Sequence, residues 1–462
     1  MTKTGNILSG IEKSKELVYF LGIGGIGMSA LARYFNSRGH RVSGYDRTES
    51  ALTRQMTEEG MKIHYEDKVS LADKDAALVI YTPAIPEGHK EMEFFKNNGY
   101  TVIKRSEALG LITENKLNIC VAGTHGKTTT SAMVAHILRD SGFGCNAFLG
   151  GIATNYNSNF WSSEKNVCVA EADEYDRSFL KLSPDVAVIT AMDADHLDIY
   201  GTEKNMQDAF IAFTERIKPG GLLIAKKGLA RENEFKAGTR WTYDAENLEA
   251  DCFAKNVTIQ NGAYRFDVVS GNSSLGGVEL NMGGRHNIEN AVAAIAIAGY
   301  LKIDEAKIKK AIAGFKGVKR RFEYIVKSGS HILIDDYAHH PEELRALLNG
   351  AKELYPNKKC TVVFQPHLYT RTRDLADGFA EVLAIADEVV LLPIYPAREL
   401  PIEGVSSEMI LNKINKSSKR VLQKTELVDW VKSNNTELLI TAGAGDIDLL
   451  LNDLKLMLEK KR

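Results

Sequence analysis

Short apolar runs alternate with helix-spaced stretches along this chain, the pattern of strands buried in parallel sheets and of the helices that cover them. Leu17–Leu21 is the first such run; Met28, Leu31, Ala32 and Phe35 then recur at helical spacing, and Gly39 marks a stop. "AALVIYTPAIP" predicts a further strand, ended by Pro83 and Pro86. A second unit opens with a strand Leu117–Ala122, a loop and a helix Lys127–Asp140, and continues with strands in "NVCVAEAD", "DVAVITAMD" and "GLLIAKKG". The texture then changes. "VTIQ", "YRFDV" and "VELNM" alternate apolar and polar residues and predict a small antiparallel patch. "HNIENAVAAIAIAGYL" returns to a helix. A third unit places strands at "HILIDD", "CTVVFQP", "EVVLLPI" and "ELLITAGAGD". It ends in one helix with Ile447, Leu450, Leu451, Leu454 and Leu458 facing a core. The reading is α/β in three domains, 1–112, 113–319 and 320–462.

A chain of 462 residues is too long for one core, which agrees with several domains. Lys plus Arg number 58 against 60 Asp plus Glu, without the basic excess of a general nucleic-acid binder. Five cysteines are widely spaced with no C-x-x-C pair, so they read as small buried apolar residues, not as a zinc or redox site. The first twenty residues have no signal-peptide form, and no apolar stretch is of membrane-spanning length. The expectation is a cytoplasmic protein with no membrane partner, as a monomer or a homodimer.

Two glycine-rich loops carry the chemistry. "GTHGKTTT" supplies Gly123, Gly126, Lys127 and Thr128 between a strand and a helix. Glycines let backbone N–H groups turn toward phosphate oxygens, and the helix N-terminus adds positive charge. Lys127 suits the β- and γ-phosphates and the Thr128 hydroxyl suits Mg²⁺. The loop is shorter than G-x-x-x-x-G-K-[ST], which would need glycine where Val121 stands. "GIGGIG", from Gly22, fits G-x-G-x-x-G with Asp46 at the end of the next strand. It says that a pyrophosphate can approach the backbone, not whose. Glu171, just past a strand in "VAEADEYD", suits a divalent cation, the plainer alternative being a solvated acidic loop. An NAD-dependent oxidoreductase would use the first loop but leave the second unexplained. A non-catalytic nucleotide-binding regulator would use the second alone.

"GTHGKTTT" resembles the nucleotide loop of the Mur ligase family, ATP-dependent enzymes that form amide bonds in peptidoglycan synthesis, where the shortened loop is normal. The resemblance covers essentially the whole chain. It implies a Rossmann-like first domain holding the UDP part of a sugar nucleotide at Gly22, Gly24, Gly25, Ile26, Gly27, Met28, Ser29 and Asp46. The central domain would bind ATP through Gly123, Thr124, His125, Gly126, Lys127, Thr128 and Thr129. Mg²⁺ would lie on Thr128 and Glu171, and a second Mg²⁺ on His196 of "AMDADHLDIYG", whose alternative is a strand-end cap. "GGRHNIENAVAA" resembles the adenine segment and makes His286, Asn287 and Asn290 adenosine-side candidates, with Asn290 preferred and Asn287 also a helix cap. Arg321 resembles an arginine that reaches the ATP phosphates; the alternative is an exposed basic linker, "KGVKRR".

The third domain, also Rossmann-like, would hold the amino acid. By the match in "DDYAHHPEEL", Asp336 would contact the ATP ribose or an arginine, and His339 would lie near the incoming amino acid. Arg371 in "QPHLYTRTRDL" would pair with its carboxylate, the alternative for it and Arg373 being a charged helix start. Leu368 stands where many members have arginine. Asn205 to Ile217 lacks the lysine that other branches carbamylate, which matches the alanine-adding branch. That branch joins L-alanine to the lactyl carboxylate of UDP-N-acetylmuramate through an acyl phosphate. Lys127, His196, His339 and Arg371 would be its catalytic residues here. The alternative within the family is the branch that recycles a preformed tripeptide onto the same sugar nucleotide.

Overall fold

The computed structural model describes residues 15–460 apart from 272, 398 and 435. Residues 1–14, on which the expectation of no leader segment largely rests, lie outside the described residues. The chain gathers into two compact units. One comprises the chain up to Lys255 with Val268–Leu275 and Glu289–Ile312; the other has Asn256–Asp267, Gly276–Ile288 and the chain from Ala313.

In the first unit a five-stranded, all-parallel sheet runs in the order Lys62–His64, Arg41–Tyr45, Leu17–Leu21, Ala76–Tyr81, Val102–Lys104. Leu17–Leu21 is buried along its whole length, as a central parallel strand covered on both faces must be. Strand order reverses there, so a crevice opens at its C-terminal end, where the "GIGGIG" loop sits.

The second sheet has Leu117–Ala122 between Val167–Glu171 and Val186–Ile189, all parallel. Leu222–Lys226 and Thr239–Asp244 extend one side. Asn146–Ala153 and the antiparallel Ser158–Trp161 complete the other. Apolar periodicity did not predict that last pair, because Gly150 and Gly151 interrupt its apolar run. The glycine is required: a Cβ on Gly150 would lie 2.2 Å from Glu171 Oε2. Beyond Thr239–Asp244 come Cys252–Gln260, Ala263–Ser270 and Ser273–Leu280, adjacent in sheet order and joined by two-residue links. Links that short allow only antiparallel neighbours, the patch that period-2 alternation predicted.

The helix Ile26–Ser37 packs on the 146–161 hairpin. Tyr34 lies 5.6 Å from Phe148 and 6.1 Å from Phe160, ring to ring. Asn159, fully buried, donates to Ile26 O at 2.6 Å and to Ser29 Oγ at 3.0 Å, and accepts from Arg33 at 2.6 Å. The first glycine loop is thereby tied to the second sheet.

The six-stranded sheet of the second unit runs Glu323–Lys327, Ile332–Asp336, Leu438–Ala442, Cys360–Phe364, Glu388–Leu391, Lys419–Val421, its first pair antiparallel and the rest parallel. The single final helix of the sequence reading is a 3-10 turn, Ile447–Leu450, followed by an α-helix, Leu451–Lys460. The tighter turn sets Ile447 on the core with Leu454 and Leu458 and leaves Leu449 73% exposed. All five cysteines are free and buried. No helix among the described residues is long and apolar enough to cross a membrane.

One buried group makes the first sheet sensitive to pH. Glu91 is fully buried and accepts from Tyr19 Oη at 2.6 Å. Burial raises its pKa from 4.5 to about 7, against the Tyr19 hydrogen bond. A raised carboxyl pKa means the folded state holds the proton longer. Its contribution to stability is therefore full below pH 4.5 and is lost as the pH rises through about 7. Glu91→Gln is expected to flatten that slope and to be more stable than the parent at pH 8, by up to about 3 kcal/mol. Urea midpoints of both proteins at pH 5 and pH 8 check it.

Candidate active site

The second glycine-rich loop is set by three adjacent parallel strands. Leu117–Ala122 leads into Gly123; the neighbouring strands end at Glu171 on one side and just before Thr190 on the other. Val121 is in register with Glu171, so the carboxylate emerges level with the loop. Gly123 has φ +135° and Gly126 has φ +82°, the latter capping the helix Lys127–Asp140. An L side chain rarely adopts either conformation. Thr190 Oγ1 donates to the carbonyls of Ala122, at 3.1 Å, and His125, while Thr124 N donates to Ala191 O at 3.1 Å.

Lys127 Nζ donates to Gly123 O at 2.6 Å and to Glu174 Oε1 at 2.7 Å. Thr128 Oγ1 donates to Glu171 Oε1 at 3.1 Å, and Gly150 N donates to Glu171 Oε2 at 3.0 Å. Burial raises the Glu171 carboxyl above its ordinary range, against the pull of Lys127. His196 Nε2 lies 3.7 Å from Asp195 Oδ2 and 3.9 Å from Glu174 Oε1. Donor atoms of Glu174, Asp195 and His196 all fall within 4.8 Å of one another. Lys127, Thr128, Glu171 and His196 are thus brought together.

Thr124 and Thr129 are buried, whereas His125 is exposed, 3.9 Å from Asp193. Asn290 is buried against the loop's rear. Its Oδ1 accepts from Thr130 at 3.0 Å and would lie 2.9 Å from a Cβ on Gly126. Its carboxamide braces the loop in this structure.

In the first loop Gly22 N donates to Tyr45 O at 2.8 Å and Gly24 N to Asp46 Oδ2 at 2.7 Å. The acid that an NAD site turns toward a ribose here fastens the loop itself. Gly25 caps the helix; Ile26 is exposed; Met28 and Ser29 are buried and serve packing. A Cβ on Gly27 would lie 2.7 Å from Arg105 Nη1, and Arg105 Nη2 donates to Asp173 Oδ2 at 3.3 Å. Arg105, Glu171, Asp173 and Phe179 line one cleft. The sequence reading missed Arg105, because no motif marks it; only its approach to Gly27 does.

Residues 121–298 match the Mur ligase middle domain, 17–117 the Mur ligase family catalytic domain, and 320–450 the Mur ligase glutamate ligase domain. The chain is 47% identical over 453 residues to the UDP-N-acetylmuramate–L-alanine ligase of Cytophaga hutchinsonii, spanning 96% of this chain and 97% of the relative. It is 49% identical over 451 residues to the enzyme of that name from Parabacteroides distasonis, with 96% and 97% covered. The chain belongs to the Mur ligase family. Among solved structures, the UDP-N-acetylmuramate–alanine ligase of Thermotoga maritima superposes with a TM-score of 0.82 at 28% identity, covering 96% of this chain and 99% of that one.

In this Mur ligase the remaining candidates lie in the second unit. Asn287 is buried and donates to Gly283 O at 2.7 Å; His286 packs against Gly284. Arg321 is exposed, with its guanidinium 5.9 Å from the Tyr337 ring centre. Its neighbour Arg320, half-buried, is the partner of the buried Asp335, at 3.2 Å. Asp336 accepts from Phe322 N at 2.7 Å and Ala338 N at 2.8 Å, and burial raises its pKa to about 6. His339 Nδ1 donates to Tyr337 O at 2.9 Å, and burial lowers the imidazole pKa below its ordinary value. Its ring is 6.3 Å from His367, which lies 3.4 Å from Arg371 Nη1. His339 and Arg371 therefore share a neighbour that the sequence reading passed over. Leu368 has φ +67°, unusual for a branched residue, and sits at the head of the helix carrying Arg371.

Proposed function

We propose that this chain joins L-alanine to the lactyl carboxylate of UDP-N-acetylmuramate, with ATP converted to ADP and phosphate, as a step of peptidoglycan synthesis. The observation that carries the reading is the link that Arg105 makes between the two glycine-rich loops. Arg105 packs on Gly27 of the first and reaches Asp173, two residues beyond the Glu171 of the second. A sugar-nucleotide acceptor and a triphosphate donor need that juxtaposition; a dehydrogenase does not. Family membership and the names of the relatives agree with it. We place the reaction in the cytoplasm, where both nucleotide substrates are made.

A carboxylate repels an amine and has no good leaving group. Transfer of the γ-phosphoryl group to the lactyl oxygen gives an acyl phosphate; the α-amine of alanine then attacks the acyl carbon and phosphate departs. Lys127 would stabilise charge on the transferring group. Backbone N–H groups of the loop, apart from that of Thr124, would orient the phosphates, and Arg371 would hold the alanine carboxylate with its fork. A divalent cation fits the donor set. Thr128 Oγ1 and Glu171 Oε1 are 3.1 Å apart, and Glu174, Asp195 and His196 form a second cluster with one buried carboxylate oxygen unsatisfied. Mg²⁺ there would offset the charge of the phosphates. We assign residues 1–112, 113–319 and 320–462 to the sugar nucleotide, ATP and amino acid respectively.

The test is mass spectrometry of the product formed from ATP, Mg²⁺, UDP-N-acetylmuramate and a mixture of L-alanine, glycine, L-serine and L-Ala-γ-D-Glu-meso-diaminopimelate. A mass increase equal to one alanyl residue is expected. Addition of the tripeptide alone would move the chain to the recycling branch, and no adduct would end the ligase reading.

A further inference from the structure

The mechanism uses Lys127 for the phosphates and Glu174 only within a cation cluster, although the two side chains hold each other. Glu174 is fully buried at the head of the turn Tyr175–Lys181. Its Oε1 accepts from Lys127 at 2.7 Å and stands 3.9 Å from His196 Nε2, while Oε2 is buried with no hydrogen-bond partner among the described residues. Its main-chain carbonyl accepts from Tyr200 Oη at 2.6 Å, so the residue is fixed from behind. Burial raises the carboxyl, and Lys127 opposes that shift. An orphaned carboxylate oxygen is costly inside a protein and calls for a cation.

Lys127 Nζ has three protons, and two are directed at Gly123 O and Glu174. A terminal phosphate bound in the loop would draw on the same ammonium, so phosphate and carboxylate compete for its charge. Release of Lys127 alone would strand a buried negative charge, which costs about 3–5 kcal/mol. The charge is relieved if a divalent cation comes to lie between Glu174, Asp195 and His196, whose donor atoms are within 4.8 Å of one another.

Resting on the ligase reading, we propose that Glu174 is a positioning residue that exchanges Lys127 for a divalent cation, so that the lysine turns onto the terminal phosphate only as cation loads beside His196. The exchange makes cation and nucleotide binding mutually dependent. Removal of the Glu174 charge uncouples them.

Calorimetry with ADP, in chelator and in Mn²⁺, tests this on the full chain. For the parent protein Mn²⁺ is expected to tighten ADP strongly. Glu174→Gln is expected to bind ADP about tenfold tighter than the parent in chelator and to lose most of the Mn²⁺ response. In the ligation assay its kcat falls while KM for ATP does not rise, a split that general loosening would not produce. Glu174→Asp, which shortens the reach to Lys127 but keeps the charge, is expected to tighten ADP in chelator and retain a Mn²⁺ response. ADP affinities of both variants equal to the parent's in both buffers, with the parent still forming the alanine adduct, would overturn the exchange and leave the ligase reading standing. A parent that forms no adduct removes the ligase reading and this inference with it.

Discussion

Lys127→Ala is expected to lower L-alanine-dependent phosphate release by about a thousandfold or more. The side chain is 14% exposed, and its ammonium is held by Gly123 O and Glu174. Neither His125, 3.9 Å from Asp193, nor Arg105, held by Asp173, takes its place. The same substitution leaves Glu174 buried without its partner, so the protein is also expected to lose stability, on the order of 3 kcal/mol. The two effects separate in Lys127→Ala/Glu174→Gln, which should regain most of the stability and none of the turnover. Phosphate release and urea midpoints on both variants check this. Near-parental turnover in Lys127→Ala would remove the residue from the chemistry.

Gly123→Ala is expected to be strongly damaging. Its φ of +135° already strains an L side chain, at about 1–3 kcal/mol. The new Cβ would fall 2.1 Å from Thr190 Oγ1 and 2.7 Å from Ala191 N. Neither atom is free to yield, because Thr190 is pinned to the carbonyls of Ala122 and His125. Relieving the overlap costs about 1–3 kcal/mol more and moves the strand end that shapes the loop. ATP binding should be lost and the urea midpoint should fall. Gly142→Ala is the control: its φ is +80° and nothing lies within 4 Å of its Cβ, so only the backbone cost of about 1 kcal/mol applies. Equal effects of the two substitutions would show that the overlap does not matter.

The most legible segment was Leu117–Asp140. A fully buried parallel strand has to be an apolar run, and a left-handed turn followed by a helix has to be punctuated by glycine. Local chemistry demanded those residue types, so the sequence displays them. Glu174 was equally visible as a letter in "EADEYD", yet nothing local separates it from Asp173 or Asp176, both partly exposed. Its burial and its reach to Lys127, 47 residues earlier, decide what it does.

By itself, then, the sequence determined the α/β alternation, both glycine loops, and the residue types available to phosphate, cation and carboxylate. Tertiary structure decided how those residues are used. Asp46 fastens Gly24, Asn290 braces Gly126, Arg105 reaches from Gly27 to Asp173, and His367 lies between His339 and Arg371. The reason is physical. Periodicity and turn chemistry act over a few neighbouring residues and leave a mark there, whereas strand order, register and burial bring together groups far apart in the chain and leave no mark on either one.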